Sequence, residues 1–510
     1  MDYAIAVIDI GMTNKKVAVY DDTLRQLDAQ YRVFDPLIVN GLPCHDLDAM
    51  ETWFLDKLAA AGKQFPIKTI AISTHGANFV CIGNDGKAAI PCVFYTHEPG
   101  KDFHHRFYRR FGSAIQLQTM TGTPELEAMI NPAKGIFFAQ EQFPQEFINV
   151  SSILPYPQYW GFRLAGKAGA ESTYMGCHTY LWDQENNCLS SVARDMGIAD
   201  LLPGRLNKSW DVLGSITGEI ASRTGLPPDT IVTMGIHDSN ASLLPHFAKR
   251  GEAGFTLNST GTWCVMMTPV QEYGFTPEEL GKVVFFNISA FGTPVKTAIF
   301  LGGHEFETWA KILMAIHRRD DFPSYNEPLY RKILKEANCF LLPELLAGTG
   351  QFPGSKPRVE EGGNVWPYGD IAAVSGLPSS HIPPCFADYE RGFAVLKISL
   401  VMQSLVALER TGLQQGAAVI TEGGFRKDAA YNRLLSSALK DSKVYLTGIM
   451  EATALGAAMT AKMAFTGRSL AELAGDFAVE YQEVEKSDMP ELFSYRDAWM
   501  SHAALTKFLI

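Results

Sequence analysis

The sequence predicts an α/β protein whose two halves share one structural device. Short runs of β-forming residues alternate with helical stretches along the whole chain, which is the pattern of α/β proteins. A strand, a tight turn carrying glycine with serine or threonine, and a returning strand occur near residue 11 and again near residue 261. The length of 510 residues suits two large domains, and we expect residues 1–247 and 248–510 to form them.

The strands of the first half are predicted from short apolar runs. We expect them at residues 4–8, 16–20, 69–73, 79–82 and 230–234, with a turn at 11–14 between the first two. The polar segment 245–252 follows the last of these strands. The sequence therefore predicts the boundary between the halves in this segment.

The second half opens with the second strand–turn–strand device. We expect strands at 255–258, 263–267, 418–421 and 444–446, a turn at 259–261, and helices at 429–439 and 452–464. The apolar tract 393–408 is interrupted by polar side chains, which predicts a buried helix rather than a membrane span. The Gly/Pro-rich segment 348–369 predicts a long surface loop.

Composition and charge exclude several classes of protein. Hydrophobic residues make up 46% and charged residues 19% of the chain, close to the globular average, which argues against disorder and coiled coil. The net charge of −11 gives little of the phosphate attraction that drives non-specific nucleic-acid binding. The first residues lack the basic region of a signal peptide, so we expect a soluble, cytoplasmic protein.

The eight cysteines indicate a reducing compartment. They include no C-x-x-C pair, which argues against a structural zinc site and against thioredoxin chemistry. Cys81, Cys92 and Cys264 lie in apolar runs and are interpreted as buried free thiols.

Two glycine-containing turns carry groups that bind phosphate. In the first, Asp9 ends a strand and is followed by a turn with Gly11, Thr13 and Asn14. The N–H groups of such a turn bind phosphate oxygens, and an aspartate beside them can hold hydrated magnesium. The second turn, at residues 258–263, is rich in hydroxyl groups. Two such hairpins, one in each half, could hold a polyphosphate from opposite sides; ordinary hairpins are the structural alternative.

Asp238 follows a predicted strand and opens a helix within Gly-Ile-His-Asp-Ser-Asn-Ala. A carboxylate at the end of a strand in an α/β sheet is where such proteins bind ligands, and it could accept a proton from a substrate hydroxyl. The structural alternative is an N-cap, since aspartate is among the best N-cap residues. The sequence alone does not decide between the two.

A pair of glycines, Gly423 and Gly424, follows an apolar strand and precedes a helix. Paired glycines let a backbone approach a flat ligand such as adenine; a plain strand-to-helix turn is the alternative. The small-residue run 451–458 predicts close packing of a helix on a sheet.

The order of these motifs resembles that of the FGGY carbohydrate kinases, a family of the actin, hexokinase and heat-shock ATPase superfamily. The matching stretches run in family order from residue 5 to about 465 and include IDIGMTNKKVAV, GIHDSNASLLP, LNSTGTW, ITEGGFRKDAAYNRLLSSAL and EATALGAAM. The likeness is strongest to the rhamnulokinase and L-fuculokinase branch, on THGANFV, IHDSNAS, NSTGTW and MEATALG.

The resemblance implies a fold and an activity. It implies two ribonuclease-H-like domains flanking a deep cleft, with sugar mostly on residues 1–247 and ATP mostly on residues 248–510. The implied reaction is transfer of the γ-phosphate of ATP, with Mg2+, to a hydroxyl of a neutral ketose or polyol, a 6-deoxy-L-ketose such as L-rhamnulose or L-fuculose being the first expectation. Sugar and ATP are the expected partners, without nucleic acid or membrane, and a homodimer is left open.

The resemblance also implies roles for individual residues. Asp238 matches the family's catalytic base, and Asp9 and Asp238 match the positions that hold magnesium. The residues implied to bind ATP are Gly11, Thr13, Asn14, Lys16, Thr260, Gly261, Thr262, Gly423 and Gly424. The residues implied to line the sugar pocket are His75, Gly76, Asn78 and His237.

The chain departs from the family pattern at three places. Phe425 stands where the third glycine of the adenosine loop is common, and Asp428 stands where that loop has asparagine. Residues 95–99 lack the aspartate and arginine that hold the sugar in many relatives. Lys15 replaces a small residue in the first phosphate loop. The second departure leaves the identity of the sugar open.

Two other classes of function compete with a sugar kinase. A superfamily ATPase of the chaperone or filament type would share the phosphate hairpins but would need no base at Asp238. A catalytically silent sugar- or nucleotide-binding protein would keep the pocket without turnover. A Rossmann dehydrogenase is excluded because no G-x-G-x-x-G opens a helix after the first strand.

Overall fold

Each half of the chain forms its own seven-stranded sheet in a computed structural model, which describes residues 1–251, 254–373, 382–449 and 451–504. The first sheet runs, in spatial order, through Val212–Ser215, Ile231–Thr233, Ile67–Thr74, Ala4–Ile10, Asn14–Asp21 and Gln26–Val33, and Ile236–His237 also pairs with Ile67–Thr74. The second sheet runs through Val284–Ile288, Pro294–Phe300, Cys264–Pro269, Phe255–Thr260, Ala418–Gly423, Val444–Thr447 and Tyr481–Glu483.

The two sheets repeat one arrangement, as the sequence predicted. In the first, the strands Ala4–Ile10 and Asn14–Asp21 form an antiparallel hairpin, the first hairpin, and Ala4–Ile10 pairs in parallel with Ile67–Thr74. In the second, Phe255–Thr260 and Cys264–Pro269 form the second hairpin, and Phe255–Thr260 pairs in parallel with Ala418–Gly423. Strands that are buried on both faces consist of continuous apolar runs. The central strands of both sheets could therefore be predicted from the sequence.

Smaller sheets of two or three strands occur in both halves. They are Leu37–Val39 with Leu42–Cys44, Phe79–Gly83 with Val150–Pro155, Ala170–Glu171 with Leu206–Asn207, and Trp182–Asp183 with Cys188–Leu189. In the second half, Cys339–Leu342, Arg358–Glu361 and Asn364–Pro367 form a three-stranded sheet.

Helices cover the sheets and fill the space between them. Those of the first half are Leu47–Gly62, Lys101–Phe111, Ala114–Thr121, Pro132–Gln142, Pro144–Phe147, Tyr156–Ala165, Ser172–Met175, Ser191–Asp195, Gly218–Thr224 and Asp238–Arg250. Those of the second are Gly302–His317, Glu327–Glu336, Tyr368–Ala372, Tyr389–Arg410, Ala429–Ala438, Ala452–Thr466 and Glu491–Ala504. Short 3-10 turns occur at Ala199–Leu201, Pro384–Ala387, Gly424–Lys427 and Ala471–Gly475.

Two helices form a layer between the sheets. Asp238–Arg250 and Ala452–Thr466 contribute to one buried cluster that also contains side chains of both sheets. The helices touch at Gly456, where a Cβ atom would lie 1.9 Å from the carbonyl oxygen of Ala241. The small residues of 451–458 were predicted to pack a helix on a sheet; they also allow this close helix–helix crossing. The two halves therefore share a core through these helices.

The predicted boundary segment 245–252 is mostly helical. Its first six residues complete the helix Asp238–Arg250, and Pro245, His246, Phe247 and Ala248 are buried. His246 is buried because its imidazole hydrogen-bonds Tyr481 and Glu422 of the second half. Polar side chains can be buried where distant residues satisfy their hydrogen bonds. Residues 252–253 lie outside the described residues.

The predicted long surface loop 348–369 is largely structured. It contains the strands Arg358–Glu361 and Asn364–Pro367. Gln351 is buried, and its side-chain amide donates to the carbonyl oxygens of Val283 and Ile299. The glycines predicted a loop, but Gly362 and Gly363 form the turn between two strands, with positive φ angles of 55° and 84°.

One helix among the described residues, Tyr389–Arg410, is long and apolar enough to cross a membrane, and 94% of its most apolar window is buried inside the protein. Two of its long polar side chains have partners in the core. Lys397 forms an ion pair with Asp428 at 3.0 Å, and Gln403 donates to Glu305. The predicted buried helix is confirmed.

Candidate active site

The first hairpin brings Asp9 to the space between the halves. Asp9 is the second-last residue of its strand, and the N–H of Gly11 donates to the carbonyl oxygen of Asn14 to close the turn. Thr13 and Asn14 are exposed at the tip. The side chain of Asp9 is 11% exposed, and its Oδ2 accepts from the hydroxyl of Thr453 in the second half at 3.0 Å. The predicted turn is confirmed.

Lys16 is held by two carboxylates. Its ammonium lies 2.9 Å from Oδ2 of Asp9 and also contacts Oε2 of Glu451, while Tyr31 donates to Oε1 of Glu451 at 3.0 Å. Burial disfavours the charge of Lys16, but the two carboxylates outweigh burial and raise its pKa. Lys16 therefore links the first hairpin to the segment before Ala452–Thr466, and its predicted phosphate contact would compete with this link.

Lys15 lies on the opposite face of the same strand. Its ammonium donates to the carbonyl oxygen of Met12 at 2.7 Å, and burial lowers its pKa to about 8. Lys15, which stands where the family has a small residue, therefore stabilises the backbone of the turn.

Asp238 is the first residue of the helix Asp238–Arg250 and directly follows the strand Ile236–His237. The position predicted from the sequence is confirmed. His237 occupies the N-cap position, and the Oδ1 of Asp238 accepts from the N–H of Ser239, one residue ahead. An N-cap side chain accepts from a residue two or three positions on. The geometry therefore argues against the capping alternative.

The carboxyl of Asp238 has a strongly perturbed acidity. Burial raises its pKa to about 7, the Asp9 carboxylate adds to the rise, and the hydrogen bonds from Ser239 oppose it. The side chain keeps 30% exposure because it borders a cavity. A carboxyl with this pKa exchanges protons near neutral pH, which suits a general base.

The second hairpin closes in the same way as the first. The N–H of Gly261 donates to the carbonyl oxygen of Trp263 at 2.9 Å, and Gly261 and Thr262 are exposed. Thr260 is different because its hydroxyl is buried, donates to the carbonyl oxygen of Glu422 and accepts from the N–H of Phe425. Thr260 thus joins the second hairpin to the glycine pair, and its implied role in ATP binding stays a prediction.

Gly423 and Gly424 have different structural constraints. Gly423 has φ of +79°, and a Cβ on it would lie 1.9 Å from the carbonyl oxygen of Thr260. At Gly424 the nearest atom to a Cβ is 3.8 Å away. Only Gly423 is required by the close approach of two strands.

The segment after the glycine pair is held by Asp428 and by Asn432, of which the sequence analysis did not single out Asn432. Asn432 donates through its side chain to the carbonyl oxygens of Phe425 and Asp428. Asp428 caps the helix Ala429–Ala438 by accepting from Tyr431 and pairs with Lys397. Phe425 and Asp428, which depart from the family pattern, therefore stabilise this loop locally.

Two cavities flank this loop. The first, of about 430 Å3, is lined by both halves and includes Asp238, Ser259, Gly423, Glu451 and Thr453. The second, of about 480 Å3, lies beside Gly424 and Phe425 and has aromatic walls formed by Phe306, Phe322 and Tyr325. A polar cavity next to an aromatic one can accept a triphosphate and a flat base.

On the other side of Asp238 lies a group of neutral polar side chains. Burial lowers the pKa of His75, His178 and His237 to about 3 in each case, so these imidazoles are neutral. Within the described part of the chain, Nε2 of His75 and Oδ1 of Asn78 are buried without a hydrogen-bond partner. Unsatisfied buried polar atoms indicate a place where a ligand or water binds.

Gly76 makes room for two of these rings. A Cβ on Gly76 would lie 2.5 Å from Nε2 of His178 and 3.0 Å from Nε2 of His237. The four predicted sugar-pocket residues, His75, Gly76, Asn78 and His237, thus lie around one place. His178 and Cys177 join them and were missed, because they come from a separate segment without a recognisable motif.

His237 is oriented by a buried polar chain. The main-chain N–H of His237 donates to the hydroxyl of Thr173 at 3.0 Å, and that hydroxyl donates to Glu171 at 2.7 Å, which fixes the backbone at His237. Because His237 is neutral, its contact with Oδ1 of Asp238 at 3.3 Å is not an ion pair.

The segment 95–99, which departs from the family pattern, borders the group of neutral polar side chains around Gly76. The nearby Asp238 charge and, above all, burial raise the pKa of Tyr95 to about 12, and its ring lies 5.3 Å from that of His75. Glu98 accepts from the N–H groups of Gly100 and Ala128. Tyr95 can contact a ligand here, whereas Glu98 is committed to the loop.

Asp9 and Asp238 form a donor set suited to Mg2+. They supply carboxylate oxygens, which hard divalent cations prefer, and they are close enough for Asp9 to raise the pKa of Asp238. Lys16 and Thr453 both contact Oδ2 of Asp9. A cation between the carboxylates would relieve their repulsion, so these residues fit the ion.

Two family models match the chain, one in each half. Residues 4–245 match the N-terminal domain of the FGGY family of carbohydrate kinases, and residues 252–376 match the C-terminal domain of FGGY carbohydrate kinases. Together the matches cover more than half of the chain.

Known proteins with similar sequence or structure point the same way. Rhamnulokinase from Halalkalibacterium halodurans is 24% identical over 308 residues, which are 54% of this chain and 60% of that relative. The match thus spans less than two thirds of the relative's length. A carbohydrate kinase from Novosphingobium aromaticivorans superposes with a TM-score of 0.80 at 26% identity over 99% of both chains. Gluconate kinase from Lactobacillus acidophilus has a TM-score of 0.78 at 15% identity, covering 99% of this chain and 98% of that one, a likeness of fold alone.

Proposed function

Because this chain belongs to the FGGY family of carbohydrate kinases, we propose that it transfers the γ-phosphate of ATP to a hydroxyl of a neutral ketose or polyol. The observation that carries the proposal is the position of Asp238. Its carboxyl, with a pKa of about 7, separates the cavity shared by both halves from the group of neutral polar side chains around Gly76. A base at that point can reach both substrates.

Each part of the site has one task in this reaction. Phosphoryl transfer depends on positioning and charge neutralisation rather than on covalent chemistry by the protein. The exposed N–H groups of the two turns hold phosphate oxygens, and the aromatic cavity beside Gly424 holds adenine. Asp238 orients the sugar hydroxyl and accepts its proton. Asp9 and Asp238 would hold Mg2+, which would supply positive charge at the phosphates in a protein with a net charge of −11.

Neutral partners around the acceptor support an uncharged sugar. The imidazoles of His75 and His237 are neutral, and Asn78 offers an amide oxygen, so the pocket presents hydrogen-bond groups without charge. Such groups select hydroxyls over carboxylates because an unpaired charge would remain buried. A panel of sugars tested by ADP release should give turnover on ketoses or polyols. Turnover confined to sugar acids would contradict the proposed class.

A small apolar recess supports a 6-deoxy-ketose within that class. A cavity of about 40 Å3 borders Asn78 and Tyr95 and is lined otherwise mainly by apolar side chains such as Ile90, Met129 and Phe138. This recess could take a terminal methyl group, because most of its lining is apolar.

We expect L-rhamnulose to be phosphorylated with a kcat/KM roughly 10- to 100-fold above that of L-fructose, which differs from it by one terminal hydroxyl. Because L-rhamnulose and L-fructose are otherwise identical, a difference in kcat/KM between them reports on the recess alone. Initial rates from a coupled ADP assay check this. Equal or reversed preference would contradict the assignment of the recess, while leaving the kinase activity itself intact.

We expect Asp9→Asn to lower turnover roughly tenfold to a hundredfold and to shift the dependence on free Mg2+ to higher concentration. The amide keeps an acceptor for Thr453 but removes the negative charge that holds the cation. Turnover measured against free Mg2+ tests this. Asp21→Asn is the matched control, since Asp21 is a buried carboxylate at the far end of the first hairpin. Wild-type Mg2+ dependence in Asp9→Asn would refute the magnesium role.

Two alternatives remain distinguishable by the same assay. An ATPase of the chaperone or filament type would release ADP at one rate whether or not sugar is present. A silent binding protein would release none. The perturbed acidity of Asp238 favours the kinase, because neither alternative needs a base at this place.

A further inference from the structure

We propose that Cys177, His178 and His237 form a site for Zn2+ that also captures Asp238, so that zinc inhibits the enzyme. One ligand atom from each of the first three residues lies within 4.8 Å of the others. The Sγ of Cys177 is 3.7 Å from Nε2 of His237. Tetrahedral zinc with one thiolate and one imidazole ligand places those two atoms about 3.5 Å apart, so this edge of the site is already formed.

Asp238 supplies the fourth ligand. Its Oδ1 lies 3.3 Å from Nε2 of His237, a separation that two ligands of one tetrahedral ion have. A set of one thiolate, two imidazoles and one carboxylate matches zinc better than Mg2+, which prefers oxygen ligands and octahedral geometry.

The surroundings of His178 direct one particular nitrogen at the ion. Its Nδ1 is 3.0 Å from the carbonyl oxygen of Ile130, which can only accept, so Nδ1 carries the proton and Nε2 keeps its lone pair. Hydrogen bonds of this kind orient the histidine ligands of metal sites. His178 also has φ of +42°, and the local fold holds this residue in that uncommon conformation.

His237 can present its lone pair as well. Its Nδ1 lies 3.4 Å from the side-chain amide of Asn240, whose Oδ1 has no partner among the described residues. The nitrogen and oxygen of an amide occupy nearly the same space, so the Asn240 side chain can turn over. Its Oδ1 then accepts from a protonated Nδ1 of His237, and Nε2 of His237 keeps its lone pair. Gly76 leaves the space into which both imidazoles project.

The chemistry of binding is a simple exchange. The Cys177 thiol loses its proton to solvent and forms a sulfur–zinc bond, with no change of oxidation state. Bound zinc occupies the space beside Gly76 and withdraws Asp238 from the acceptor hydroxyl. Binding itself does not depend on the proposed kinase activity; the inhibition does.

Zinc binding is measured first on the full-length protein without ATP or sugar, by equilibrium dialysis against ZnCl2. We expect one tightly bound ion per chain, with affinity lowered at least about tenfold in Cys177→Ser and in His178→Asn. His178→Asn is conservative, since asparagine tolerates positive φ and its amide can donate to Ile130. Cys188→Ser is the control, because Cys188 is an exposed thiol. Co2+ in place of zinc should give a thiolate charge-transfer band in the wild type and in Cys188→Ser, absent from Cys177→Ser.

Inhibition is then measured by ADP release at saturating Mg2+ and ATP with added ZnCl2. The half-inhibitory zinc concentration should rise at least about tenfold in both site variants and stay unchanged in Cys188→Ser. Wild-type zinc affinity in both site variants, or a Co2+ complex without the thiolate band, overturns the site. Zinc bound at the site with full activity overturns the inhibition. An inactive wild type that still binds zinc through Cys177 would contradict the kinase proposal and leave the metal site standing.

Discussion

Asp238→Asn is expected to lower turnover by about 10²- to 10⁴-fold, the usual contribution of a general base. The amide has the same shape and can still accept from Ser239, but it cannot take a proton from the sugar. Because the capping position belongs to His237, helix stability should hardly change. Steady-state kinetics, a thermal melt and an ATP titration together give the result: low turnover with near-normal stability and near-normal nucleotide affinity.

Asp388→Asn serves as the control for this substitution. Asp388 is a true N-cap, since its side chain accepts from Arg391 at the start of Tyr389–Arg410, and asparagine caps about as well as aspartate. It should therefore leave turnover unchanged. A stable Asp238→Asn protein working within a few-fold of wild type would move the base elsewhere, with His237 as the next candidate.

The local parts of this site were accessible to sequence analysis. The hairpin at Gly11, the position of Asp238 between strand and helix, and the glycine pair all follow from short-range signals such as apolar runs and glycine turns. The buried helix Tyr389–Arg410 was predicted despite its polar residues because their spacing kept the apolar pattern intact.

The remaining parts depend on contacts between distant segments. Lys16 and Glu451 meet from opposite ends of the chain, and no local pattern links them. His178 and His237 come together beside Gly76, which follows the strand Ile67–Thr74 and has no side chain to keep the two rings apart. The prediction of a long surface loop at 348–369 was wrong because this segment contains two strands, and its residue Gln351 has long-range hydrogen-bond partners, which sequence composition cannot reveal.

The hydroxyl of Thr260 shows a further limit. A threonine in a glycine turn is typical of phosphate loops, and that was its predicted role. In the fold its hydroxyl bonds Glu422 and Phe425. These hydrogen bonds join the turn of the second hairpin to the glycine pair, which gives the glycine pair a structural role that its motif did not indicate.

Gly423→Ala is expected to lower the free energy of unfolding by about 2–5 kcal/mol and to weaken ATP binding with it. Two costs add: about 1–2 kcal/mol for an alanine in the left-handed region, and about 1–3 kcal/mol for forcing atoms into filled space. The second arises because the new Cβ would lie 1.9 Å from the carbonyl oxygen of Thr260, a backbone atom of a central strand that cannot move aside alone. Displacing that strand also displaces the turn at Gly261 and Thr262.

Gly424→Ala is the matched control for this prediction. Its Cβ would meet nothing closer than 3.8 Å, and a glycine without positive φ gains about 0.4–1 kcal/mol on substitution by alanine. Denaturant unfolding without nucleotide should therefore separate the neighbours, with Gly423→Ala destabilised and Gly424→Ala equal to or slightly above wild type. Equal destabilisation of both variants would mean that the loop tolerates no side chain at all. If the two variants were equally stable and matched the wild type, the close approach of Gly423 to Thr260 would not be what holds the second hairpin to the glycine pair.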